Sequence, residues 1–205
     1  MTAPGAESVP SPGYRLLFVC TGNICRSAAA ERLARRQLEA LLGAAAASVL
    51  VHSAGTRAAV GSAIHPDSAS VLRRLGGDDE QFTARRLRRQ MVTEADLVLT
   101  MTREHRQAVL GLEPRALSRT FTLREAADLV RLLDAPPGTT RTAGDGGPRG
   151  LALRMAAARR LRTSSAEDDI VDPMGGPPEA HRRAGESIAE CLGPVLDHVV
   201  RHLGS

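Results

Sequence analysis

The chain predicts an α/β sandwich, a central parallel sheet of four strands with helices packed on both faces. Short apolar runs of strand length alternate along it with segments of helical periodicity, the pattern of strands joined by crossover helices. Its 205 residues suit one domain with a sizeable buried core. Aromatics make up only 2% of the residues and Trp is absent, so that core must be built from Leu, Val and Ala.

Residues 1–13, rich in Pro, Gly and Ser, read as a disordered leader. Residues 14–19 (YRLLFV) form the first strand, which ends at Cys20 and a turn-like Thr21-Gly22-Asn23. From Ser27 to about Leu42 the pattern is helical, with Leu33, Leu38, Leu41 and Leu42 on neighbouring turns. Residues 48–51 are a second strand, stopped at Gly55. His65-Pro66-Asp67 starts a helix that runs to Gly76-Gly77, Pro66 being favourable in a first turn. Residues 96–101 (DLVLTM) are a third, buried strand, and Thr102 caps a helix over residues 103–110. Residues 120–123 form a fourth strand, and residues 124–133 a helix. The Gly-, Pro- and Thr-rich stretch 134–150 is a loop, followed by a basic helical piece over 151–161. A last helix, residues 178–203, should break or kink at Gly193-Pro194.

Composition narrows the function. The 27 basic residues are all arginine and are interspersed with 23 acidic ones, for a net charge of +4. That mixture, with so few aromatics to stack on bases, points away from a nucleic-acid partner. No apolar run approaches the roughly 20 residues of a membrane span, so no membrane partner is expected. Three cysteines, Cys20, Cys25 and Cys191, make no disulfide framework. With no signal pattern at the N-terminus, they place the chain in the reducing cytoplasm. Nothing in the sequence speaks to oligomeric state.

The chemistry is concentrated in Cys20-Thr21-Gly22-Asn23-Ile24-Cys25-Arg26-Ser27, a cysteine, five residues, then Arg-Ser, lying between a strand and a helix. In parallel α/β sheets ligands sit beyond the carboxyl ends of strands, and Cys20 is at such an end. A loop there can curl until its backbone N–H groups converge on one point, where the helix N-terminus adds partial positive charge. Gly22 and Asn23 are types that tolerate positive φ. Arg26 offers a planar fork for two oxygens of a tetrahedral dianion. The positive field favours a thiolate at Cys20, and Ser27 can donate a hydrogen bond to it.

With this motif near the N-terminus, Ser53-Ala54-Gly55-Thr56 after the second strand, Ala95-Asp96 opening the third and a late Asp172-Pro173, the sequence resembles the low molecular weight protein-tyrosine phosphatase family. The resemblance runs from about residue 16 to 203, with residues 134–165 as an insertion in a single phosphatase domain over 14–205. It implies the strand order 2-1-3-4 and hydrolysis of phosphate monoesters through a phosphocysteine intermediate, without cofactor or metal. Cys20 would be the nucleophile, Arg26 the phosphate clamp and Asp172 the general acid. The substrate would be a phosphorylated protein, phosphotyrosine first, or a small phosphomonoester. Cys25 matches a second loop cysteine and is a candidate redox partner for Cys20.

Departures from the family pattern matter too. Met174 stands where an aromatic wall of the substrate slot is common, and Arg57-Ala58-Ala59-Val60 where a second is usual. Thr83 replaces a histidine that often precedes Ala-Arg and supports the loop, so support of Ser27 must come from elsewhere. Ile24 resembles tyrosine-directed members, where Thr is typical of arginine-phosphate-directed ones. Two alternatives remain: a thiol-coupled arsenate reductase, for which Cys191 is a poor relay, and a non-catalytic phosphoprotein-binding module. Asp168 and Asp169 read as solvated charges. His198 and His202 have metal-ligand spacing but no third ligand, and read as exposed.

Overall fold

Strands β1 (Tyr14–Cys20), β2 (Val49–Gly55), β3 (Leu97–Thr100) and β4 (Thr120–Thr122) form one parallel sheet in the order β2-β1-β3-β4. The computed structural model describes residues 13–134 and 148–203. Between and after the strands come α1 (Arg26–Leu42), α2 (Pro66–Arg74), α3 (Arg89–Glu94), α4 (Arg103–Leu112), α5 (Leu123–Asp134), α6 (Pro148–Ala158) and α7 (Pro178–Leu203).

Alternation along β1 divides the core in two. Tyr14, Leu16 and Phe18 point into the larger cluster with residues of α1, α5, α6 and α7, while Leu17 and Val19 point into a smaller one with Val92 of α3 and Val109 of α4. A strand with both faces covered must be apolar throughout, which is why LLFV carries no polar residue. The core is aliphatic as expected. Ala28, Ala29, Ala30 and Ala34 let α1 lie close on the sheet, and Phe18 and Phe121 are the largest fully buried side chains. Arg159 sits 4.1 Å from the centroid of Phe121, a cation–π contact worth about 0.5–2 kcal/mol.

Several elements differ from expectation. The short helix α3 does not stand out in the sequence, because Val92 is its single fully buried residue. The loop foreseen over 134–150 lies mostly outside the described residues, but 148–150 already belong to α6. Leu151 and Met155 of that helix are fully buried, so this part of the foreseen insertion is built into the core. The break at Gly193-Pro194 is absent, and α7 is continuous with Pro194 inside it. Proline removes one helical hydrogen bond, but the buried Leu192, Val195 and Leu196 hold both halves against the same core. The expected leader lies outside the described residues, apart from Gly13.

Candidate active site

Cys20 closes β1 at its carboxyl end, flanked by β2 on one side and β3 on the other. The chain goes first to one side of β1 and then to the other, so a crevice opens there between the diverging connections. The loop that fills it is turned inside out relative to an ordinary turn. Its carbonyls face away and accept from neighbouring backbone: Cys20 from Thr56 N–H, Thr21 from Arg57, Gly22 from Ala59 and Ile24 from His65, all at 2.8–3.0 Å. In a trans peptide the N–H points opposite to the carbonyl before it, so the amides of Thr21, Gly22, Asn23 and Cys25 are directed inward. No side chain caps α1, whose first N–H groups remain available to an anion.

Two residues make this path possible. Asn23 takes the left-handed conformation, φ 57°, that the sequence allowed for either Gly22 or Asn23; Gly22 does not. Gly55, the end of β2, is fixed by approach: a Cβ there would stand 2.4 Å from Thr21 O, inside any allowed contact. The Ser-Ala-Gly-Thr segment is therefore the outer wall against which the loop is moulded.

Cys20 is 2% exposed. Its Sγ lies 2.9 Å from Ser27 Oγ and receives the Asn23 N–H at 3.3 Å. The support of Ser27 that Thr83 cannot give comes from Asn23. Its side-chain amide donates to Ser27 Oγ at 2.9 Å and to Ser53 Oγ at 2.8 Å, while its Oδ1 accepts the Arg85 N–H at 2.8 Å. Ser53 in turn donates to the buried Glu31 at 2.6 Å, which Arg35 and Arg85 neutralise. Every polar group of Asn23's side chain is thus used, which locks its strained backbone in place.

Arg26 is 3% exposed and faces inward. It donates from NH1 to Ile170 O at 2.9 Å and from NH2 to Asp172 Oδ2, while its buried Nε has no partner. The segment carrying Asp172 is pinned at successive points. Ile170 N–H donates to Met101 O at 2.8 Å, Asp169 accepts the Arg103 N–H at 2.7 Å, and Asp168 is held by Arg162, Ser164 and Ser165. Asp168 and Asp169 are therefore anchors, and Asp168 is buried, contrary to its reading as a solvated charge. Asp172 itself is 43% exposed, with Oδ1 accepting the Met174 N–H at 3.2 Å.

Cys25 is buried, and its thiol donates to Met174 Sδ at 3.4 Å. Burial pushes the Cys25 thiol up to about 11, so it stays protonated near neutrality. His105 was not singled out by sequence reasoning. Its Nε2 is 2.8 Å from Thr21 Oγ1 and its Nδ1 2.8 Å from the capping Thr102 Oγ1. Burial, and then the nearby Arg26, push it down to about 4, so a neutral imidazole braces the loop. The signal was present as Thr-x-x-His, a cap with histidine at the third helical position. Away from the site, His198 is buried and pairs with Asp134 rather than lying exposed. Cys191 is buried in α7 as expected of a core residue.

The model of the low molecular weight phosphotyrosine protein phosphatase family matches residues 15–134. A protein-arginine-phosphatase of Geobacillus stearothermophilus is 30% identical over 185 residues, 90% of this chain and 95% of that protein. The tyrosine phosphatase Wzb of Salmonella typhi is 36% identical over 107 residues, 52% of this chain and 66% of the relative. The solved structure of the YwlE arginine phosphatase from Geobacillus stearothermophilus superposes with a TM-score of 0.63 at 28% identity, covering 92% of this chain and 94% of that one. Sheet order, loop and relatives agree: the chain belongs to the low molecular weight protein-tyrosine phosphatase family and is an enzyme that hydrolyses phosphate monoesters.

Proposed function

We propose that the chain dephosphorylates phosphotyrosine in proteins through a phosphocysteine intermediate. The observation that carries this reading is the sulfur of Cys20, set beside Ser27 Oγ and the Asn23 N–H at the centre of a loop whose carbonyls face away. The Cys20 thiolate attacks phosphorus in line with the ester oxygen, while inward amides and Arg26 hold the other three oxygens. The P–O bond breaks as Asp172 gives its proton to the departing phenolate. Asp172, now a carboxylate, takes a proton from water, whose oxygen attacks phosphorus. The S–P bond breaks, phosphate leaves and the thiolate returns to the Ser27 hydroxyl. A phosphate in the loop competes for the donors of Arg26 that now hold Asp172, which frees the carboxyl to face the leaving group.

Nucleophilic catalysis through sulfur requires a reduced thiol, which supports a cytoplasmic setting. The burial of α6 in the common core supports reading 14–205 as one catalytic domain. Met174, on Cys25 and 48% exposed, supplies a soft wall for the substrate ring where an aromatic is usual. Cys25 stands as the candidate disulfide partner of Cys20 under oxidation.

Partitioning tests the covalent intermediate. With glycerol present, two aryl phosphates of different leaving group should give the same ratio of glycerol phosphate to inorganic phosphate, because both pass through one phosphoenzyme. A ratio that follows the leaving group, or no turnover at all, overturns the reading.

A second substrate, phosphoarginine, is favoured by the name of the relative aligned over 95% of its length. Ile24 opposes it. This side chain lies in the loop, half-buried against the larger core cluster. Changing Ile24→Thr is expected to lower the ratio of kcat/KM for phosphotyrosine over phosphoarginine by roughly tenfold or more, the scale of discrimination set by one or two methyl groups. An unchanged ratio in competition assays would remove Ile24 as the selecting residue.

A further inference from the structure

We propose that His65, Asp67 and His181 form a binding site for one first-row divalent cation, with zinc as the best match to two imidazoles and a carboxylate. Among the described residues this is the one group of three such side chains whose donor atoms lie within 4.8 Å of one another. His65 and Asp67 flank the start of α2, whereas His181 comes from the first turn of α7, more than a hundred residues later. The two rings are stacked, with centroids 4.7 Å apart at 14°, and His65 Nδ1 is 3.9 Å from Asp67 Oδ2.

Two features single this cluster out as a ligand site. His65 Nδ1 is a buried nitrogen with no hydrogen-bond partner. Unlike His52 Nδ1 and His198 Nδ1, which also lack a partner, it lies within 4.8 Å of two further ligand atoms, where its lone pair can face a cation. His181 is buried, and its Nδ1 lies 2.8 Å from Ser68 Oγ, which fixes the ring and leaves Nε2 for a metal. Hydrogen bonding of the far nitrogen is the usual second-shell arrangement of a ligating histidine.

Donor bonds of about 2.0–2.2 Å require ligand atoms roughly 3.3 Å apart in a tetrahedral site. The present spacing closes to that by rotation of the His65 and Asp67 side chains, both only half-buried, with water in the fourth position. The phosphatase chemistry needs no metal, so this ion would act on the phosphate loop from outside. The His65 N–H donates to Ile24 O at 2.8 Å, and Ser68 hydrogen-bonds Cys25 as well as His181. A cation here ties the start of α2 to α7 and stiffens the loop's outer edge.

The test uses untagged Cys20→Ser protein, which removes the reactive sulfur as a competing zinc ligand and reads no turnover. Its failure is therefore separate from failure of the phosphatase reading. Competition of Zn²⁺ against a chromophoric chelator is expected to give one site per chain. Adding Asp67→Asn or His65→Gln should weaken binding about tenfold or more, and Co²⁺ should give visible bands without an intense sulfur charge-transfer band. The zinc-loaded protein should melt at a higher temperature than the metal-free protein. His181→Ala serves as a third variant if it folds; the other two carry the test if it does not. Absence of a site, equal affinity in the Asp67 and His65 variants, or a sulfur charge-transfer band that places the ion on Cys25 each overturns the proposal.

Discussion

Cys20→Ser is expected to lower kcat for para-nitrophenyl phosphate by roughly 10⁴-fold or more, while phosphopeptide binding stays within a few-fold of the wild type. The argument is local. A serine hydroxyl at this place keeps its proton near neutrality, because the groups within reach of position 20 are Ser27 Oγ and the Asn23 N–H, and neither is a base. Sulfur escapes the difficulty because its anion is accessible and intrinsically nucleophilic. The cradle itself does not depend on the sulfur. Its carbonyls are held outward by Thr56, Arg57, Ala59 and His65, and Asn23 is held by Ser53 and Arg85. Calorimetry with a phosphotyrosine peptide should therefore still show binding to the serine variant. Residual turnover of a tenth of the wild type would mean that a group other than Cys20 attacks phosphorus. That split between lost rate and kept affinity also separates an enzyme from a mere phosphoprotein-binding module, in which Cys20→Ser would change neither.

What could be read in the sequence and what could not divides along the distance between partners. The apolar run of β1, Cys20, the five intervening residues and the start of α1 are contiguous, so strand, loop and helix follow from pattern and spacing alone. The same holds for Thr102, whose side chain caps α4 three residues on. Contacts between distant residues left no such trace. With Thr83 in place of the usual histidine the sequence left the source of support for Ser27 open; it arises from Asn23, braced by Ser53 of β2 and Arg85. Glu31 resembles any helical surface glutamate until α1 packs it over β2 with Ser53, Arg35 and Arg85 around it. Asp168 and Asp169 read as solvent-facing because acidic pairs usually are, but Arg162 and Arg103 turn them into the pins of the Asp172 segment. Pro194 shows the opposite error. A local rule predicted a break or a kink; the helix does not break, because burial on both sides of the proline offsets a penalty of about 3 kcal/mol.

Asp172→Asn is expected to lower kcat by roughly 10²–10⁴ for phenyl phosphate or phosphotyrosine, whose phenol leaves poorly, and by much less for aryl phosphates with acidic phenols. Asparagine is the informative replacement because it preserves shape. Its single oxygen can accept from Arg26 where Oδ2 does now, which keeps the arginine held, while its NH2 takes the place of the Oδ1 that accepts from Met174 N–H, so that one contact is lost. What it lacks is the proton. The distinction matters because Asp172 sits against Arg26 and could affect turnover in two ways: by protonating the leaving oxygen, or by orienting the guanidinium that holds the phosphate. The two make different predictions. A lost proton donor penalises each substrate according to the basicity of its leaving group, giving a steep dependence of kcat on phenol pKa that the wild type does not show. A misplaced Arg26 penalises all substrates alike and weakens binding of inorganic phosphate as a product inhibitor. A series of substituted phenyl phosphates, with the phosphate inhibition constant measured alongside, reads both effects at once. Equal losses across the series together with weakened phosphate binding would reassign Asp172 from proton donor to partner of Arg26, leaving Cys20 and the loop as the whole of the chemistry.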